Sequence, residues 1–305
     1  ADTLMTEITY RSKPSGTQLM RKLSSFRSFV VRLFRENPLG AIGAVVCLIF
    51  LFAAIFADLL APYGFNQIMP SNRTKPPSWQ FWFGTDHLGR DIFSRVLNGA
   101  RLSIIIALAA SMLATIISVV IGIITGYLGG KIDMIAQRFV DAWMSFPDIV
   151  ILIVVVAVVG PGMLQIILVL GCLYGVAGSR IIRSAVLSVR EQSFIHAAQS
   201  IGGSNTRVIW RHILPNIMPP IIVLFTMRVG AVILVEAALS FLGLGVPPPT
   251  PTWGGMLTGS ARNYMYLAPW MAIAPGICLT IVVFSVNMFG DALRDLLDPR
   301  MSGTR

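Results

Sequence analysis

Apolar residues in this chain fall into long blocks, separated by short polar, proline-rich or glycine-rich stretches. A helix of about 20 apolar residues crosses a hydrocarbon core of about 30 Å, and the blocks reach that length. The first predicted span runs from about Leu39 to Leu60 and ends before Pro62. Residues 62–100, with Pro70, Pro76 and Pro77, read as a loop. The second span covers about Leu102 to Tyr127, where Gly129 and Gly130 break it. The third starts near Ile132 and reaches Val159. Its first half, through Phe146, is amphipathic, carries Asp133, Arg138 and Asp141, and is expected to project from the bilayer. Gly160-Pro161-Gly162 makes a turn. The fourth helix begins near Met163 and turns polar after Gly178. Residues 180–215 form a polar insertion, the fifth span runs from about Ile217 to Leu242, and the sixth from about Leu267 to Phe289. A loop over 243–268 holds Pro247-Pro248-Pro249.

The expected organisation is therefore an N-terminal arm (1–37), a membrane domain (38–290) and a short tail (291–305). The arm carries seven Lys or Arg before the first span. From about Leu19 to Arg35 it mixes Leu, Phe and Arg, which fits either a helix lying on the membrane surface or a solvated arm. Six spans put both termini on one side. That side collects 17 Lys and Arg, the other side 6, and Arg228 falls within a span. The positive-inside rule then places both termini and the 180–215 insertion in the cytoplasm.

Composition agrees. Of 305 residues, 55% are hydrophobic and 12% charged, with a mean hydropathy of +0.74. A soluble domain carries about 25% charged residues, so a soluble enzyme is excluded. The net charge of +10 follows from the loop bias and calls for no nucleic-acid partner. Cys47, Cys172 and Cys278 lie inside apolar blocks without ligand-like spacing, and three scattered His give no metal cluster. The polar, basic start is not a cleavable signal peptide, so the first block is expected to stay as an anchor. The chain has no G-x-x-x-x-G-K-[ST] phosphate loop, no H-E-x-x-H and no G-x-S-x-G.

Three groups of residues could carry mechanism. In the insertion, Gly202-Gly203 breaks a helix, Ser204 is placed to cap a new one, and that helix runs from Asn205 to about Leu214 before Pro215. Val208 and Ile209 would form an apolar knob beside Arg211 and His212. Such a shape suits docking into a partner groove, and equally an amphipathic linker on the lipid surface. Before the second span, Arg90, Asp91 and Arg95 can pair on one turn. With Asp86 and Gly89 they read as a structural elbow rather than a direct substrate contact. In the fifth span, Arg228 and Glu236 sit eight residues apart, about 12 Å along the axis, too far to pair easily. They either line a translocation path or gate, or are neutralised by a partner subunit or a neighbouring helix. Gly122-x-x-x-Gly126 and Gly171-x-x-x-Gly175 allow close helix packing.

The insertion resembles the cytoplasmic "EAA" loop of ABC-importer permeases. Ala197, Ala198, Gly202, Ile213, Leu214 and Pro215 match in place, while His196 stands where the name-giving Glu would be. Gly84-Thr85-Asp86-His87-Leu88-Gly89-Arg90-Asp91, leading to Gly99-Ala100-Arg101-Leu102-Ser103, resembles the signature of C-type permeases of dipeptide, oligopeptide and nickel importers. Glu236-Ala237-Ala238-Leu239-Ser240-Phe241-Leu242-Gly243, Pro251-Thr252-Trp253-Gly254 and Gly290-Asp291-Ala292-Leu293-Arg294-Asp295 also match. The resemblance spans about residues 38–300 and implies a six-helix, all-α type I permease in a bacterial cytoplasmic membrane. It implies no catalysis by this chain: ATP and Mg would be bound by two ATPase subunits. It further implies a second, different permease as heterodimer partner, a periplasmic or extracellular binding protein, and a di- or oligopeptide substrate, with a nickel or other small-ligand importer as the alternative. Coupling would fall to the loop over 191–215, with His196, Ala197, Ala198, Gly202, Gly203, Ile213, Leu214 and Pro215. A secondary transporter is the rival class, but no internal repeat supports it.

Overall fold

The computed structural model describes residues 29–297. The expectations for most of the arm and for the end of the tail fall outside them. Within them, residues 29–36 are helical, with Arg32 paired to Glu36 across one exposed turn. Eight longer helices follow: α1 Pro38–Ile55, α2 Ile92–Leu128, α3 Gly130–Met144, α4 Asp148–Val159, α5 Met163–Arg190, α6 Ser193–Ser200, α7 Met218–Phe241 and α8 Trp270–Leu297. Among the described residues there is no β-strand. Five helices (α1, α2, α5, α7 and α8) are long and apolar enough to cross a membrane, and the α3–α4 pair makes a sixth if it counts as one span. The chain is thus an all-α, polytopic membrane protein.

Three boundaries differ from the pattern-based expectation. α2 is 37 residues long and starts at Ile92, so residues 92–100 are helix rather than loop. Its extra turns hold because Asp91 caps them: Asp91 accepts from the Ser94 amide at 2.8 Å. The third span is not continuous, since α3 and α4 meet at 84°. Pro147 disfavours helix at the residue before it, and the chain turns at Ser145–Pro147. α8 runs on to Leu297, so the start of the expected tail is helical.

The centre of the fold is the seam between α2 and α5. Gly122 and Gly126 on α2 face Ile182 and Val186 on α5; Gly171 and Gly175 on α5 face Leu113 and Ile117 on α2. Each helix offers two notches to the other's branched side chains. A Cβ built on Gly122 would stand 2.7 Å from Ile182 Cβ and 2.9 Å from the Arg183 backbone nitrogen. Such contact lets backbones approach and gathers dispersion energy in a setting where burial from water drives little. Ser118 Oγ donates to the Gly175 carbonyl across the same seam at 2.8 Å. α1 lies on α8 through Gly40 and Gly43, which face Ala292 and the Ser285–Met288 turn.

Gly122→Val should push α2 and α5 apart and cost about 1–3 kcal/mol, the usual range for overpacking. Gly276→Ala, whose added methyl meets nothing nearer than Leu257 Cδ2 at 3.8 Å, should leave stability unchanged or raised. Melting temperatures of the two detergent-solubilised variants check this; equal behaviour would contradict the seam.

Candidate functional site

At one end of the α2–α5 seam the chain folds back on itself. α6 buries Ile195 and Ala198, and the chain then reverses at Gly202, whose φ of +82° L side chains rarely adopt. Ser204 caps the next turn, accepting from the Arg207 amide at 3.4 Å. The expected single helix to Leu214 is corrected here. Asn205–Val208 is α-helical, Ile209–Ile213 widens into a π turn, and Leu214–Asn216 returns to α. The Leu214 amide reaches back to the Ile209 carbonyl. Widening moves the Arg211 carbonyl away from the Pro215 ring, which an α-helix would bring into collision.

The face expected as the apolar knob is also corrected. Val208 is fully buried and Ile209 half-buried; with Ile195, Ile213 and Ile217 they pack on Ile182 and Val186 of α5. The outward apolar residues are Ile201, 87% exposed, Trp210 and Phe194. Around them His196, Ala197, Gly202, Arg207 and Arg211 are exposed, while Ala198 and Ile213 face inward. Gly203 and Leu214 are half-buried, and Pro215 stands exposed at the stem. The loop is tied to the end of α2: Tyr127 Oη lies 2.9 Å from Asn205 Oδ1 and accepts from Gln199 Nε2 at 3.4 Å. The loop thus presents an apolar surface with a basic rim, built from residues other than the Val208 and Ile209 expected.

The elbow lies at the other end of α2. Asp86 is its hub. Oδ1 accepts from the amides of Leu88 and Arg90 at 2.8 and 2.9 Å; Oδ2 accepts from Arg90 Nε at 2.7 Å and lies 4.0 Å from Arg95 Nε. The expected pairing of Arg90, Asp91 and Arg95 on one turn is therefore wrong: Asp91 is spent on the α2 cap, and both arginines turn to Asp86. Arg95 Nη1 donates to the Phe65 carbonyl at 3.0 Å, and Arg90 Nη1 to Asn66 Oδ1 at 3.3 Å. Gly89, at φ +79°, presses on the Met69 carbonyl and leaves no room for a side chain. His87 stacks on Tyr264 at 5.8 Å, and burial lowers its imidazole below the usual value.

Arg228 and Glu236 on α7 are each engaged within the chain. The Arg228 guanidinium donates to the Tyr174 carbonyl of α5 and sits 5.5 Å over the Tyr174 ring. Glu236 is fully buried, accepting from Ser240 Oγ at 2.7 Å and from Ser103 Oγ of α2 at 3.3 Å. Sequence reading missed Ser103, Ser240 and the indole of Trp253, which donates to the Val96 carbonyl at 3.1 Å. It also missed the ion pairs joining α3 to α5, Asp133–Arg183 and Asp141–Arg180. Among the described residues no group of three or more His, Cys, Asp or Glu could hold a metal ion.

The family model for the binding-protein-dependent transport system inner membrane component matches residues 118–303, and that for the N-terminal TM domain of oligopeptide transport permease C matches residues 25–77. The chain belongs to this family of inner-membrane permeases. The chain is 43% identical over 267 residues to the dipeptide transport system permease protein DppC of Alkalihalophilus pseudofirmus, covering 88% of each chain. It is 42% identical over 273 residues to the glutathione transport system permease protein GsiD of Escherichia coli, covering 89% of this chain and 90% of that one. A chain of the MetNI methionine ABC transporter in an inward-facing conformation shares 18% identity at a TM-score of 0.49, over 64% of this chain and 94% of that one. As a permease subunit of an ABC importer the chain is non-catalytic and lies in a bacterial inner membrane; ATPase and binding-protein partners complete such a system.

Asp86→Ala should cost this permease about 3 kcal/mol or more, because it strands two arginines that are about nine-tenths buried. Arg101→Ala, which breaks the exposed pair to Asp58, should cost less than about 1 kcal/mol. Chemical denaturation of the two variants in detergent should separate them; equal loss would remove Asp86 as the hub.

Proposed function

We propose that this permease forms half of the channel of a peptide importer, pairs with a second, different permease, and is driven by two ATPase subunits that bind ATP and Mg. The observation that carries the substrate is the similarity over nearly the whole chain to permeases named for dipeptide and glutathione transport. Both are short peptides with free carboxylates. The surface around Ile201, Trp210 and Phe194 is the ATPase-docking face, and both termini lie with it in the cytoplasm, the side that the Lys and Arg count favours.

In this reading ATP closes the two ATPases and drags the docked loop. Because the loop is packed on α5 and bonded to Tyr127 at the end of α2, its displacement moves both helices as bodies and opens the path outward. Hydrolysis resets the state. A binding protein delivers the peptide at the elbow end.

The test is co-expression with the partner permease and ATPase chains, purification through a tag on this one, and ATP hydrolysis with and without peptide-loaded binding protein. Co-purification with stimulated hydrolysis is the expected result. A chain that purifies alone, with no associated hydrolysis, would point to a secondary transporter. Gly202→Pro, which cannot adopt the observed positive φ, should lower peptide uptake at least tenfold, by roughly the loss of one well-formed docking contact. The variant should still insert in the membrane. Normal uptake by it would remove this loop from coupling.

A further inference from the structure

A cavity of about 330 Å³ sits at the elbow end of the permease, between the start of α2 and the 243–259 loop. Asp86, Arg90 and Arg95 line it, together with Ser240, Thr258 and Pro161. The volume is at the low end for small-ligand sites, enough for an ionic group and the residue that bears it. We propose that this cavity takes the terminal carboxylate of the incoming peptide, an inference that rests on the peptide reading above.

Charge and unused donors suit this cavity to a carboxylate. Two guanidinium groups meet one carboxylate, and all three side chains are about nine-tenths buried. Each guanidinium carries five N–H groups. Among the described residues, hydrogen bonds engage only Nε and Nη1 of Arg90 and Nη1 of Arg95. The remaining N–H groups, on side chains that line the cavity, suit a second carboxylate, which arginine recognises through paired, charge-assisted bonds. Asp86 does not repel such a guest strongly, because its oxygens already accept from two amides and from Arg90. A concave site of this volume favours a small ligand over a flat protein surface.

The cavity also touches the buried network of α7. Ser240 lines it and donates to Glu236 at 2.7 Å; Thr252 donates to Ser240 at 3.3 Å. A bound carboxylate would thus sit one hydroxyl away from the contact between α7 and α2.

The test uses the assembled importer in lipid nanodiscs or vesicles with its binding protein, supplied with a dipeptide and with the same dipeptide amidated at its C-terminus. The readout is the ratio of the two uptake rates in parent and variants. Because one binding protein serves all of them, its own discrimination cancels between parent and variant. Thr258→Phe fills the cavity from a lining residue outside the Asp86 cluster, and Arg90→Gln removes a donor fork. Each should lower the acid-to-amide ratio about tenfold, the effect of one charge-assisted contact. Arg90→Gln disturbs the elbow as well, so Thr258→Phe decides: a parental ratio in that variant overturns the proposal. A Thr258→Phe importer that keeps the parental ratio but no longer retains peptide-free binding protein would assign the cavity to a carboxylate of that protein, and overturns it too. A parent importer that carries neither peptide overturns the peptide reading itself, and this inference with it.

Discussion

The close approach of α2 and α5 is the constraint on which the rest of this permease depends. In a bilayer, helices gain little from hiding apolar surface, because lipid is as apolar as leucine. Association must come from contact, and contact needs backbones near each other. Gly122, Gly126, Gly171 and Gly175 supply it reciprocally, two notches on each helix. A one-sided glycine stripe would hold only one ridge of side chains. Here each helix is both knob and hole, so register and crossing are set together.

The two polar regions sit where that pair ends. At one end Asp91 caps α2, while the hub, Asp86, neutralises Arg90 and Arg95. At the other, Tyr127 hands its hydroxyl to Asn205 of the folded-back loop. Between them the polar groups are mostly hydroxyls returned to nearby carbonyls, such as Thr115 to Ser111 and Thr125 to Ile121. A 37-residue helix, about 55 Å long, therefore joins the elbow to the loop without a break. Because the helix is continuous between them, movement at one end is carried to the other as tilt or translation.

Much of this was legible in the sequence. Block lengths gave the spans, Gly202 and Ser204 gave the reversal and its cap, and the charged residues marked the elbow. What was not legible depends on partners distant in the chain. That Val208 turns inward follows from Ile182 and Val186 on α5, which local periodicity cannot show. That Asp86 rather than Asp91 neutralises the arginines follows from competition: Asp91 is nearer in sequence, but the α2 amides claim it first. The bend before α4 was visible as Phe146-Pro147, but not its 84° angle, nor the pairs that tie α3 to Arg180 and Arg183 of α5.

Glu236 shows how placement, not charge alone, decides what an intramembrane acid does. An isolated carboxylate buried at this depth would be costly, and no basic side chain is paired with it among the described residues. Hydroxyls meet it instead, Ser240 from its own helix and Ser103 from α2, with Thr252 beside them. A carboxylate that joins two helices through hydroxyls alone makes a weaker and more reversible link than an ion pair would. The stronger pairs, Asp133–Arg183 and Asp86–Arg90, are at the ends, the first partly exposed and the second about nine-tenths buried. Strong ion pairs at the ends and a weak hydroxyl link inside are what a body needs if its helices must keep their identity yet change their mutual tilt.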